Sequence, residues 1–495
     1  MQGLQDLRFD NSFARLPARF HSRVRPMPLQ GLHLISASPA AAGLIDLQAE
    51  ALQDADTLAW LGGESPLPGS DPVAMCYAGH QFGQFVPQLG DGRAMVLGEV
   101  VNRRGDRWEL QLKGSGLTPY SRDGDGRAVL RSTIREYLCS EAMHALGIPS
   151  TRALCMFGSE EEVYRERIES GALLVRMAPS HVRFGSFEVF FHRQQYAELR
   201  LLADYVIEHD YPDLRDQGRP YLALLREAVS RTARLMAQWQ LVGFAHGVMN
   251  TDNMSILGLT LDYGPFGFMD AYDPGFVCNH SDYQGRYAFD RQPSIGLWNL
   301  TCLAQAMLPL FDPDDGDAAA GQAREVLAGY EPALVQAYAS GMRAKLGLFD
   351  SREGDQEMSA GLLGLMQAER IDYTNLFRDL AELSLDEFAD DSFLRDRFVD
   401  RAGFDAWLVD YRSRLRAEQS DDLQRRAAMQ SVNPVYVLRN YLVQRAIERA
   451  EQGDYGEISR LLNLLSHPFD EQPGMHAYAD EPPDWGRHIE VSCSS

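Results

Sequence analysis

The stretch Phe244–Phe268, FAHGVMNTDNMSILGLTLDYGPFGF, decides how the rest of the chain is read. It sets Asp252 and Asn253 in a polar turn, follows them with an apolar run, Met254–Leu259, that reads as a short strand, and brings in Asp262-Tyr263-Gly264 nine residues after Asn253. Asn and Asp are favoured in turns because their side chains bond to nearby backbone, so NTDN alone reads as an ordinary turn and the later triplet as a hairpin. The two together, in this order, carry a functional reading.

Protein kinases arrange their metal-holding loops as H-R-D-x-x-x-x-N followed by D-F-G. The first Asp takes the hydroxyl proton, and the Asn and the later Asp hold magnesium. Counted from His246, Asn253 falls at the kinase Asn, but Val248 falls at the catalytic Asp, and valine accepts no proton. Asp252, beside Asn253, is the carboxylate available to replace it. The stretch therefore reads as a site for metal and nucleotide whose proton acceptor has moved.

Upstream, YAGHQFGQFVPQLGDGRAMVLGEV (Tyr77–Val100) puts Gly90, Asp91, Gly92 and Arg93 directly before an apolar run. Glycines at such an edge let backbone N–H groups approach a phosphate, although a loose G-x-G by itself is more often a hairpin. RWELQLK (Arg107–Lys113) alternates as a strand, with Trp108, Leu110 and Leu112 on one face and Glu109, Gln111 and Lys113 on the other. A glycine-rich connection with Asp125, Gly126 and Arg127 follows, then a helix over Arg131–Ala145. Its apolar stripe turns Glu136 to the other side, where it can meet Lys113. Arg176 and Arg183 sit among apolar residues in LLVRMAPSHVRFGSFEVFF (Leu173–Phe191), which asks for an anionic partner, a phosphate or a structural carboxylate.

With 495 residues, 45% hydrophobic and 24% charged, the chain reads as a soluble globular protein of two or more domains. The 47 basic against 70 acidic residues, net −23, argue against nucleic acid as a main partner. No apolar run approaches the roughly 20 residues of a membrane span, and the first residues, with Asp6 and Asp10, lack a signal-peptide pattern; a cytoplasmic location is expected. The six cysteines contain no C-x-x-C, so neither a zinc site nor a disulfide framework is indicated. Five are expected to be small buried hydrophobes, and Cys493, in the tail SCSS, to be exposed.

The fold class expected is α+β, divided as an N-terminal extension (1–65) too irregular to assign, a nucleotide-binding lobe containing an antiparallel sheet (66–195), a helical lobe with the catalytic and metal loops (196–310) and a helical C-terminal region (311–495). An amphipathic helix over Leu222–Leu241 leads into the quoted stretch, residues 311–317 read as an acidic linker, and Asn433-Pro434 reads as a helix start.

The strings YAGHQFGQFVPQLGDGRA, ELQLKGSGLTPYSRDGDGRAVLRSTIREYL, HGVMNTDN and LDYGPFGFMDAYDP resemble the SelO family of protein adenylyltransferases, from about Asn11 to the tail. The resemblance implies a two-lobed protein-kinase-like fold that transfers AMP from ATP, bound in a flipped orientation, to Ser, Thr or Tyr hydroxyls of client proteins. It implies Gly90, Gly92, Arg93, Asp125 and Gly126 as nucleotide contacts, Lys113 paired with Glu136, Arg176 and Arg183 on the phosphates, Asp252 as proton acceptor, and Asn253 and Asp262 as ligands of magnesium, with manganese as the other ion to consider. Many eukaryotic members carry selenocysteine where Cys493 stands, so the resemblance also raises a thiol role, with redox proteins as partners and Cys278 as a disulfide partner. A conventional phosphotransferase and a non-catalytic nucleotide-binding scaffold are the alternatives.

Overall fold

A computed structural model describes residues 3–492. Seven strands form the main path of an antiparallel sheet: β1 (His21–Arg23), β2 (His33–Ala37), β3 (Val73–Met75), β4 (Ala94–Val101), β5 (Arg107–Lys113), β6 (Arg152–Tyr164) and β7 (Ile168–Ala178), in the order β1-β3-β4-β5-β7-β6-β2. The two-residue strand Ala128–Val129 pairs with β7 off this path. Both ends of the path come from the first 65 residues, where no element was legible in the sequence.

The alternation read in β5 is real, but both of its faces are buried. Leu110 and Leu112 pack with Met95, Leu97, Leu173 and Val175 under a cover of leader residues such as Ala41, Ile45 and Leu52. Glu109 and Gln111 are buried on the opposite face, which turns Lys113 toward helix α1 (Leu130–Ala145). Truncating a buried leucine such as Leu110 to alanine is expected to cost roughly 2–5 kcal/mol.

Beyond the sheet the chain is mainly helical, with α2 (Phe184–His192), α3 (Pro220–Val242) and α4 (Gln292–Phe311) nearest the quoted stretch. Helix α3 opens with a proline in its first turn and stops at Gly243, whose left-handed φ of 71° continues no helix. Phe244 and Ala245 then pair with Phe268 and Gly267, so that the stretch is clamped at both ends and its middle projects as a loop.

Three sequence expectations about these elements fail. Met254–Leu259 forms no strand; it is a buried turn held by isolated bridges, Arg183 with Ser255 and Ser150 with Thr260. Asn433-Pro434 starts no helix, the next one being Asn440–Ala450, and the buried Asn433 side chain donates instead to the Lys345 carbonyl at 2.9 Å. The stretch Phe289–Phe311 is long and apolar enough to cross a membrane by length and composition, which was overlooked in the sequence. It is mostly buried and packs against α2 and α3, as an internal helix of this fold does.

Candidate active site

A cleft of about 480 Å³ lies where the sheet meets the clamped loop. Gly90, Gly92, Arg93, Lys113, Asp125, Gly126, Glu136, Arg176, Asp252, Asn253 and Asp262 all line it. Six of its lining side chains are basic (Arg93, Lys113, Arg122, Arg127, Arg165, Arg176), in a chain whose net charge is −23.

The deepest corner is built around Asp262. Lys113 Nζ donates to Glu136 Oε2 at 2.5 Å and lies 3.6 Å from Asp262. Arg176, 1% exposed, donates through Nη1 to Glu136 at 2.8 Å and to Asp262 at 2.5 Å, and through Nε to Gln111 at 2.5 Å. Arg183 Nη1 donates to the other Asp262 oxygen at 2.6 Å and to the Asp252 carbonyl at 2.7 Å. Burial acts to raise the Asp262 pKa, but the charges of Arg176, Arg183 and Lys113 outweigh it and hold the carboxyl well below the usual range. Burial lowers the pKa of Lys113, opposed by Glu136.

Arg183 differs from the sequence expectation in one respect. It does not line the cleft; it lies behind Asp262, over the Tyr77 ring at 4.6 Å, with Nε and Nη2 buried and unpartnered. Asp125 is at the exposed rim, where it accepts from both Nη atoms of Arg165 at 2.7 and 2.9 Å and from the Arg127 N–H at 2.9 Å.

Asp252 has the opposite surroundings. Its Oδ2 accepts from Gln81 Nε2 at 3.1 Å, and its Oδ1 is buried without a partner. Burial pushes the carboxyl up to about 6, against the Gln81 bond and the Arg183 charge. Asn253 Nδ2 donates to the Val248 carbonyl at 3.0 Å, which leaves its Oδ1 as the acceptor atom. His246 ties the loop together: Nε2 meets the Leu261 carbonyl at 2.9 Å, and Nδ1 receives the Val248 N–H at 3.3 Å. Burial lowers the pKa of His246, keeping it neutral for this double role.

The glycines serve close approach. Gly90 has φ 133°, and a Cβ there would lie 2.5 Å from the Tyr120 ring. Sequence reading missed Gln81, on the short hairpin Gly79–Gln81/Gln84–Val86; the signal present was the hairpin's own string, GHQFG. Cys278 is buried with Sγ 3.4 Å from the Ala245 carbonyl, and Cys493 lies outside the described residues. Cys76, Cys139 and Cys155 are buried as expected, while Cys302 is half-buried.

A cleft with cations deep inside and two carboxylates in contrasting settings is suited to handling phosphate esters, and the class of enzyme is a nucleotidyltransferase. The chain is 58% identical over 495 residues to the protein nucleotidyltransferase YdiU of Thioalkalivibrio sulfidiphilus and 56% identical over 495 residues to that of Myxococcus xanthus, with both chains covered in full in each case. Residues 3–466 match the family described as Protein adenylyltransferase SelO, and the chain belongs to that family.

Proposed function

We propose that the protein moves AMP from ATP to hydroxyl side chains of client proteins and releases pyrophosphate, within a kinase-like two-lobed arrangement that holds ATP end for end. The observation that carries this reading is the depth of the cations: Arg176 and Lys113 are at the buried end of the cleft, whereas Arg93 and Arg122 are at its exposed edge. A triphosphate gains far more from a cationic floor than a neutral adenine ring does. With the β and γ phosphates innermost, the α phosphorus faces outward and pyrophosphate leaves inward.

Asn253 Oδ1 and the Asp262 carboxylate form an all-oxygen donor set suited to Mg²⁺ or Mn²⁺. They fit such an ion because Asp262 is ionised and has oxygen lone pairs beyond those taken by Arg176 and Arg183. A bound ion would supply charge neutralisation at the phosphates. Asp252 accepts the proton of the acceptor hydroxyl, Lys113 and Arg176 stabilise charge on the leaving pyrophosphate, and Arg183 acts from behind by holding Asp262. A cytoplasmic location, in keeping with ATP use, is part of the same reading.

The test is incubation with ATP labelled on the α or the γ phosphorus together with candidate proteins. Alpha label on protein is expected; gamma label would make the enzyme a phosphotransferase, and neither label would make it a scaffold.

A further inference from the structure

The hairpin Gly79–Val86 has no part in the reaction as described so far, yet it covers Asp252. A Cβ on Gly79 would lie 2.7 Å from Asp252 Oδ1, so the glycine backbone seals that oxygen. The other oxygen, Oδ2, is the one that Gln81 holds from the cleft wall at 3.1 Å. The hairpin is anchored to the loop one residue before Asp252: the His80 N–H donates to Thr251 Oγ1 at 2.7 Å, Thr251 Oγ1 donates to Glu188 at 2.5 Å, and His80 Nδ1 meets the other Glu188 oxygen at 2.6 Å. Glu188, on α2, is fully buried. At the tip, Phe82 and Gly83 both have positive φ, 49° and 83°, the combination of a tight two-residue hairpin turn, and the Phe82 N–H is held by Asn250 Oδ1 at 3.1 Å.

We propose that Gln81, fixed by the His80–Glu188–Thr251 strut, is a positioning residue for Asp252. With Oδ1 sealed, Oδ2 is the oxygen that meets the acceptor hydroxyl, and the Gln81 amide sets the direction of its free lone pair. As the acceptor oxygen bonds to the α phosphorus, the bond from that phosphorus to the bridging oxygen breaks and pyrophosphate leaves, the hydroxyl proton passes to Oδ2, and Gln81 stays in place. The Cys302 Sγ also lies near His80 and Glu188, within 4.8 Å, but both of those side chains already have partners in the strut, so the three are read as a hydrogen-bonded joint and not as a metal centre.

The proposal rests on Asp252 as proton acceptor, and a double-mutant cycle separates the two. Gln81→Leu is expected to lower kcat for α-label transfer about 10–50-fold, with KM for ATP changed less than about 3-fold. In an Asp252→Asn background the same substitution should add nothing. An unchanged kcat, or an equal loss in both backgrounds, overturns the positioning role. Asp252→Asn at the parental rate overturns the acceptor role instead. Thr251 supplies a readout that does not need the slow background: Thr251→Val should reduce kcat as Gln81→Leu does, and Thr251→Ser, which keeps the hydroxyl, should restore it. Equal rates for the two Thr251 variants count against the strut.

Discussion

Asp252 and Asp262 share one cleft and one loop, and their surroundings drive them apart. Asp262 is held by two arginines, with a lysine 3.6 Å away, and is ionised far below neutrality. Asp252 has one amide donor and one sealed oxygen, and burial lifts it to about 6. The lesson is that residue type does not assign the role. A carboxylate saturated with cations is a fixed charge that can hold another ion, whereas one short of donors is poised to take a proton near neutral pH.

The comparison breaks most visibly at Asp262. Asp262→Ala is expected to reduce α-label transfer by more than about 1,000-fold and to lower the thermal midpoint, because Arg176 and Arg183 are left buried with fewer partners. Transfer at the parental rate would remove Asp262 from the site. Asp252→Asn comes next: kcat should fall about 100–1,000-fold while ATP affinity, read by titration, stays within about 3-fold. Lys113→Met and Glu136→Gln should each weaken transfer about 10–100-fold, and the two together little more than either alone, since they form one ion pair.

Smaller effects sharpen the contrast. If Asp252 is the proton acceptor, as proposed, it must be ionised to act, so kcat should rise as pH increases through about 6 and then level off, and this limb should vanish in Asp252→Asn. Stability gives the opposite sign. A carboxyl whose folded pKa lies above its unfolded value favours the folded state less as pH climbs from about 4 to about 6. Removing that charge with Asp252→Asn should therefore raise the stability at pH 7 by about 1–3 kcal/mol, and the thermal midpoint with it. A fall in midpoint would mean that the carboxylate is better satisfied than its single donor suggests.

Much of this was legible because the informative residues are close in sequence. The alternation in Arg107–Lys113 matched strand β5 to the residue, and the apolar stripe placed α1 to within one residue of its start. The Asp252, Asn253 and Asp262 order identified the clamped loop, and a helix stripe was enough to pair Glu136 with Lys113. Contacts across long separations were not legible. Gln81 and Asp252 are 171 positions apart, and nothing local to either marks the other. Met254–Leu259 has a strand's composition, but its backbone is used in a turn beneath Arg183, where burial rather than pairing selects apolar side chains. Helix α4 carries no charged residue, and its exposed positions Ser294, Thr301 and Gln305 are neutral, so its composition reads as a membrane segment does.

Asp262 holds its place with a left-handed backbone, φ 58°. Only glycine and short polar residues such as Asp and Asn enter that conformation cheaply. The position is consequently narrow for evolution: a longer acid would have to reach around its own strained main chain, and a branched residue would not settle there at all. A library randomised at this codon should return aspartate among active clones, with asparagine and glycine as the main survivors among those that merely fold.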